Sequence, residues 1–168
     1  MNESKGSEHS GHTSGVPSNA AIAGHPLHPL MVTFPIAFFV GTFLSDLAYW
    51  STGDPFWARA SFWLVAAGLV GGSLAAVLGL TDFLTIRRAR EHAAGWIHFI
   101  GNSTVLVLSL ISLLLRWDDP AAAILPWGLT ISVVVAGILV ITGWYGGELA
   151  YRHKIGVVGH EDKSSSDV

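Results

Sequence analysis

From Phe62 to Leu80 the chain runs through nineteen residues without a charged side chain, and three further apolar blocks accompany that run. A helix rises 1.5 Å per residue, so about twenty apolar residues cross the ~30 Å hydrocarbon core of a bilayer. The buried helices of a water-soluble bundle keep a polar face, and these blocks have none. Charged residues make up only 12% of the chain, against about 25% in soluble domains. Lipid is therefore the expected solvent. The segments fall at about 26–50, 56–86, 93–116 and 126–150, within a domain of residues 24–158. Tails at 1–23 and 159–168 flank it. The expected fold is all-α: an integral membrane four-helix bundle with a disordered N-terminal tail.

Composition removes several classes of function. A net charge of −3, with no basic cluster interleaved with aromatics, argues against nucleic acid. The absence of cysteine excludes disulfides, thiolate metal sites, iron–sulfur ligation and covalent c-type haem. Residues 1–24 lack the apolar core of a secretory signal, which leaves targeting to the first segment. The leader is polar and aperiodic; its His9 and His12 form either a weak metal-binding tail or, more simply, part of a solvated low-complexity stretch. No nucleophile–base pair, phosphate loop or metalloprotease signature is present, so no catalytic activity of its own is expected.

Polar residues inside the segments are few. The first opens with His25-Pro26-Leu27-His28-Pro29, where a missing N–H does little harm, while Pro35 lies deeper and should kink the helix or loosen its ladder. Asp46 lies near its far end, before the interfacial pair Tyr49 and Trp50. In the second segment Gly68, Gly72 and Ala76, with Gly79 nearby, form a small-residue stripe that lets another helix approach. Asp82 follows, and then a basic loop of Arg87, Arg88 and Arg90. His98 and Asn102 share one face of the third segment, four residues apart. The fourth ends in Gly143, Gly147, Glu148, Tyr151, Arg152 and His153.

With four spans, the two tails and the middle loop share one side. They hold Lys5, Arg87, Arg88, Arg90, Arg152, Lys154 and Lys163, whereas the two hairpin turns hold only Arg59 and Arg116. Seven basic residues against two place both termini in the cytoplasm. His25, His28, Asp82, His92, His98, Glu148 and His153 then occupy one layer, with His98 the deepest. Asp46 belongs to the opposite end.

Four readings of that layer compete. In the first, His28 and His98 are axial ligands of a b-type haem held between helices, with His25 nearby and Asn102 fixing a tautomer or touching the cofactor edge. In the second, His25, His28 and Asp82 bind a non-haem metal, although no tight zinc motif is present. In the third the layer is structural: His25 caps a helix, Asp82 and Glu148 pair with the arginine loop, and His98 bonds a neighbouring carbonyl. A solute or proton pathway starting at Asp46 is the fourth, and it lacks an acidic residue in the middle of the bundle.

The two-histidine, two-proline opening, followed by Phe34-Pro35, resembles a bacterial membrane family catalogued as domain of unknown function 2231. The likeness continues through Gly79 to Asp82, His98 to Asn102, and Gly143 to Tyr151 with Gly156-Val157. It covers residues 24–158 and reaches His25, His28, Asp82, His98, Asn102, Gly147 and Glu148, but not His92 or His153. The resemblance implies a four-helix protein of the bacterial inner membrane. Some chains of the family carry attached Rieske or c-type cytochrome domains, which implies electron transfer near the membrane. For this chain a redox role would need a separate redox partner protein; the lipid bilayer and a homo-oligomer are the other partners expected.

Overall fold

The structure is a computed structural model that describes residues 15–157. The readings made above for Lys5, His9, His12 and Lys163 fall outside those residues. Four stretches are long and apolar enough to cross a membrane: Leu27–Thr52, Pro55–Thr85, Ala93–Leu115 and Pro120–Tyr151. The chain is a four-helix integral membrane protein.

The first stretch consists of α1 (Leu27–Met31) and α2 (Thr33–Thr52). The break at Val32 follows from Pro35, which cannot donate to the carbonyl four residues earlier and crowds it. Gly53, at φ 68°, closes α2 with its N–H on the Tyr49 carbonyl, a left-handed terminus that glycine adopts without strain. Asp54 then caps α3 (Pro55–Thr85) by accepting from the Phe56 N–H, with Pro55 in the first turn. A short α4 (Arg87–Glu91) leads to α5 (Ala93–Leu115).

The fourth stretch begins six residues before the Pro126 expected from sequence. Asp119 accepts from the Ala121 and Ala122 N–H groups and starts α6 (Pro120–Ala123). A wider turn over Ile124–Gly128 follows, because Leu125 precedes a proline and leaves helical geometry (φ −112°, ψ 130°). The long helix α7 (Leu129–Tyr151) completes the bundle.

Helix α2 packs on α3 and α5 on α7, and these two hairpins join through α3 against α5 and α2 against α7. The hairpins share one register. His28 and His98 stand seventy residues apart, and so do the buried pairs Pro35 and Val105, Phe39 and Ser109, Thr42 and Ser112, and Asp46 and Arg116. On the second helices a constant offset of sixty-seven relates Ser61 to Gly128, Val65 to Ser132, Gly68 to Val135, Ala75 to Thr142 and Gly79 to Gly146. Exchanging the hairpins carries each helix contact onto another, as an approximate two-fold axis along the bundle would. Helices α2 and α5 then face one another across that axis.

The stripe of small residues sets how closely the helices approach. A Cβ on Gly68 would stand 2.6 Å from the Phe39 ring, and one on Gly72 would stand 2.8 Å from Leu106. Phe39 forms the central apolar cluster with Val65, Val105 and Val135.

The tail expected to extend to Ala23 is bonded to the bundle from Val16 onward. The Val16 N–H donates to the Lys154 carbonyl, and Gly156 donates back to Val16. Two-residue strands β1 (Ala21–Ile22) and β2 (His25–Pro26) then fold into an antiparallel turn that leads into α1. Both ends of the described chain therefore meet at one end of the bundle.

Candidate functional site

His28 lies in α1, directly after the proline-containing turn, and His98 lies in the second turn of α5. Their ring centroids are 6.0 Å apart, with the planes nearly perpendicular at 83°. Each ring is held in the same way. His28 Nδ1 lies 2.8 Å from the Ala75 carbonyl of α3, and His98 Nδ1 lies 2.8 Å from the Thr142 carbonyl of α7. A carbonyl only accepts, so Nδ1 of each ring carries the proton, and Nε2 keeps its lone pair in the neutral form.

A glycine stands four residues beyond each carbonyl. A Cβ on Gly79 would come within 2.7 Å of His28 Cε1, and one on Gly146 within 2.9 Å of His98 Cε1. These glycines are the space in which the imidazoles lie. The result is two half-buried imidazoles, one from each hairpin, with fixed tautomers and each bonded through Nδ1.

The other residues singled out from sequence are placed differently. Asn102 does not reach the imidazole: its Nδ2 donates to the His98 main-chain carbonyl at 2.7 Å, and its Oδ1 accepts from Thr142 Oγ1 at 3.3 Å. His25 is exposed and turned back to the tight turn before it, with Nδ1 3.0 Å from the Ala23 carbonyl. Asp82 neither pairs with the arginine loop nor joins the histidines. Its carboxylate accepts from Ser18 Oγ at 2.6 Å and from the Asn19 and Ala20 N–H groups at 2.8 and 3.0 Å, so it clasps the N-terminal strap. Glu148 faces His153 at 3.8 Å and Arg152 at 4.0 Å, and His153 stacks on His92 with centroids 3.7 Å apart. Gly147 carries no close packing beyond its own helix neighbour Tyr151. Among the described residues no three His, Asp or Glu side chains gather as a metal-ligand set.

The opposite end of the bundle holds a centre that the sequence reading missed. Arg116, counted there as a loop charge, has no exposed surface, and neither does Asp46. Arg116 Nη2 donates to Asp46 Oδ2 at 2.6 Å, and Ser61 Oγ donates to Asp46 Oδ1 at 2.5 Å. Arg116 Nη1 bonds back to the hydroxyl and carbonyl of Ser112. Gly128 makes room for the guanidinium, since a Cβ there would lie 2.9 Å from Nη2. The signal was present in the spacing. Asp46 follows His28 by eighteen residues, and Arg116 follows His98 by eighteen.

Taken together, the fold and its two axial pairs define a small polytopic membrane protein built from two like hairpins, with an imidazole pair at one end and an ion pair at the other. The chain belongs to the family described as predicted membrane protein, domain of unknown function 2231, whose match spans residues 24–159. No curated protein and no solved structure matches it.

Proposed function

We propose that this protein is a small cytochrome-b-like membrane subunit in which His28 and His98 are the axial ligands of one haem. The observation that carries the reading is the imidazole pair: two rings from different hairpins, each held through Nδ1, with centroids 6.0 Å apart. His28 and His98 would hold the metal through Nε2, the ring nitrogen that neither carbonyl engages. The donor set also fits. Only two ligands gather here among the described residues, and a haem brings its own four equatorial nitrogens. A bare divalent ion would need more from the protein. His25 and Asp82, the further ligands of the non-haem alternative, are occupied by the Ala23 carbonyl and the strap.

When bound, haem supplies a one-electron couple. The Ala75 and Thr142 carbonyls orient the rings and fix their tautomers, as outer-shell acceptors do at metal sites. Gly79 and Gly146 let the ligands approach α3 and α7, and the clasp from Asp82 to Ser18 closes the strap over the same end. Electrons would pass to a separate redox protein or to a second copy of this chain.

The reading includes an inner-membrane location with both termini cytoplasmic. With Arg116 buried and paired, Arg59 alone remains as a basic residue on the hairpin-turn side, which strengthens the asymmetry of basic loops. Reporter fusions at the C-terminus test the orientation.

The decisive experiment is a dithionite-reduced minus oxidised spectrum of the protein, purified in mild detergent after expression with added haem precursor. Soret and α bands are expected, and each should be lost in both His28→Ala and His98→Ala. A featureless spectrum leaves the competing reading, a structural or accessory membrane protein without a cofactor. Bands that survive both substitutions would remove these two ligands from the proposal.

A further inference from the structure

A central cavity lies between the two pairs and shares only Ser112 with the Asp46–Arg116 centre. Its volume is about 10 Å³, and Phe39, Thr42, Val65, Ser109, Ser112, Ile131, Ser132 and Val135 line it. Four of those eight side chains are hydroxyls, in a region where lipid-spanning helices otherwise bury apolar groups. Ser109 is 1% exposed, and its Oγ has no hydrogen-bond partner.

The register shared by the hairpins explains why the hole exists. Where the first hairpin places Phe39, with Gly68 opened to receive its ring, the second places Ser109 and Val135. Val65 of the first is likewise replaced by Ser132. The cavity is the space that a second phenylalanine would fill, relined with hydroxyls. A merely imperfect packing would leave an apolar hole, which stays dry.

We infer that this cavity is a binding site for a single water molecule inside the membrane. The hydrogen-bonding inventory matches that ligand. Thr42 Oγ1 donates to the Phe38 carbonyl at 2.9 Å and Ser132 Oγ donates to the Leu129 carbonyl at 3.0 Å, so both hydroxyl oxygens keep lone pairs for the cavity. Ser109 Oγ has an O–H to give. A water accepts from Ser109 and donates to two such lone pairs, which is three hydrogen bonds, the usual number for a buried water. Room for about one water centre excludes larger solutes. Ser112, on the same wall, also receives Arg116 Nη1. The water therefore sits beside the hydrogen-bonded shell of the Asp46–Arg116 pair, across the wall that Ser112 provides. This holds whether or not a cofactor binds at the other end.

The test uses the full chain in lipid bilayers. Water-edited solid-state NMR should transfer magnetisation from water protons to Ser109 Cβ, and Ser109→Val should abolish the transfer at the neighbouring Thr42 and Ser132 signals. In thermal melts, Ser109→Ala should lower the midpoint by about 3 °C, because the bound water loses its donor. Absence of transfer to Ser109 in the wild-type protein overturns the inference. So does a Ser109→Ala or Ser109→Val protein that melts at or above the wild-type midpoint, since removing an unpaired hydroxyl from a dry cavity is neutral or stabilising.

Discussion

The two ends of the bundle axis solve the same geometric problem with opposite chemistry. At each end the first and third membrane-spanning stretches present one side chain apiece across the approximate two-fold axis. Eighteen residues of helix, about 27 Å of rise, separate the two layers. At the hairpin-turn end the pair is Asp46 and Arg116, fully enclosed, with Ser61 on the carboxylate and Ser112 on Arg116 Nη1, while the buried Arg116 Nε has no hydrogen-bond partner. At the end carrying the termini the pair is two like groups, His28 and His98, which do not bond each other and are half-exposed. The first pair neutralises its own charge. The second is bonded through Nδ1 of each ring. A centre whose two charges neutralise each other is read as structural, and the other end carries the proposed site.

The largest effect should come from breaking the closed centre on one side only. Arg116→Ala leaves the Asp46 carboxylate buried and unpaired, and removing one partner of a buried pair costs about 3–5 kcal/mol. The expected outcome is a chain that fails to fold or unfolds at a much lower denaturant concentration in detergent. Replacing both partners, Asp46→Leu with Arg116→Met, should recover most of the lost stability, because apolar isosteres of buried ion pairs are often neutral or better. A double variant as weak as Arg116→Ala would show that the pair does more than satisfy itself. The contrast between the two ends would then need redrawing.

The imidazole end should respond to crowding, and symmetrically. Gly79→Ala and Gly146→Ala each place a methyl group within 3 Å of a ring atom. Overpacking of this kind typically costs about 1–3 kcal/mol. Because the two rings are held alike, the two variants should shift unfolding by similar amounts, and each should displace the bands of a bound haem. A loss confined to one of them would mean that the shared register does not extend to function.

Much of the architecture was legible in the sequence, because lipid as solvent forces every span to be a continuous apolar helix with its own hydrogen bonds satisfied. The gathering of His28 and His98 at one end followed from direction of travel alone. Arg116 was hidden for a different reason. It follows the last apolar residue of its segment, where an arginine ordinarily reaches water, and nothing local marks that it turns inward to Ser112 and Asp46. Its partner lies on another hairpin, and only the repeated eighteen-residue spacing ties them. Asp82 was misplaced because its partners, Ser18 and two backbone N–H groups, sit in a leader whose composition looks like a solvated tail.

That clasp gives the smallest predicted effect, and it tests whether the open end is covered by design. Asp82→Asn keeps one acceptor and removes the charge on which Ser18 Oγ and the Asn19 and Ala20 N–H groups converge. The strap also holds through Val16 and the C-terminal residues. Partly exposed contacts contribute only about 1 kcal/mol each, so the bundle's melting midpoint should hardly move. What should change is local: faster hydrogen exchange at the Asn19 and Ala20 amides, and readier proteolysis between Val16 and Gly24. The Asp46–Arg116 end should keep its protection, because no strap residue touches it. Unchanged exchange at Asn19 and Ala20 would show that the carboxylate is not what holds the strap over the imidazole end. The difference between the two ends would then rest on the paired side chains alone.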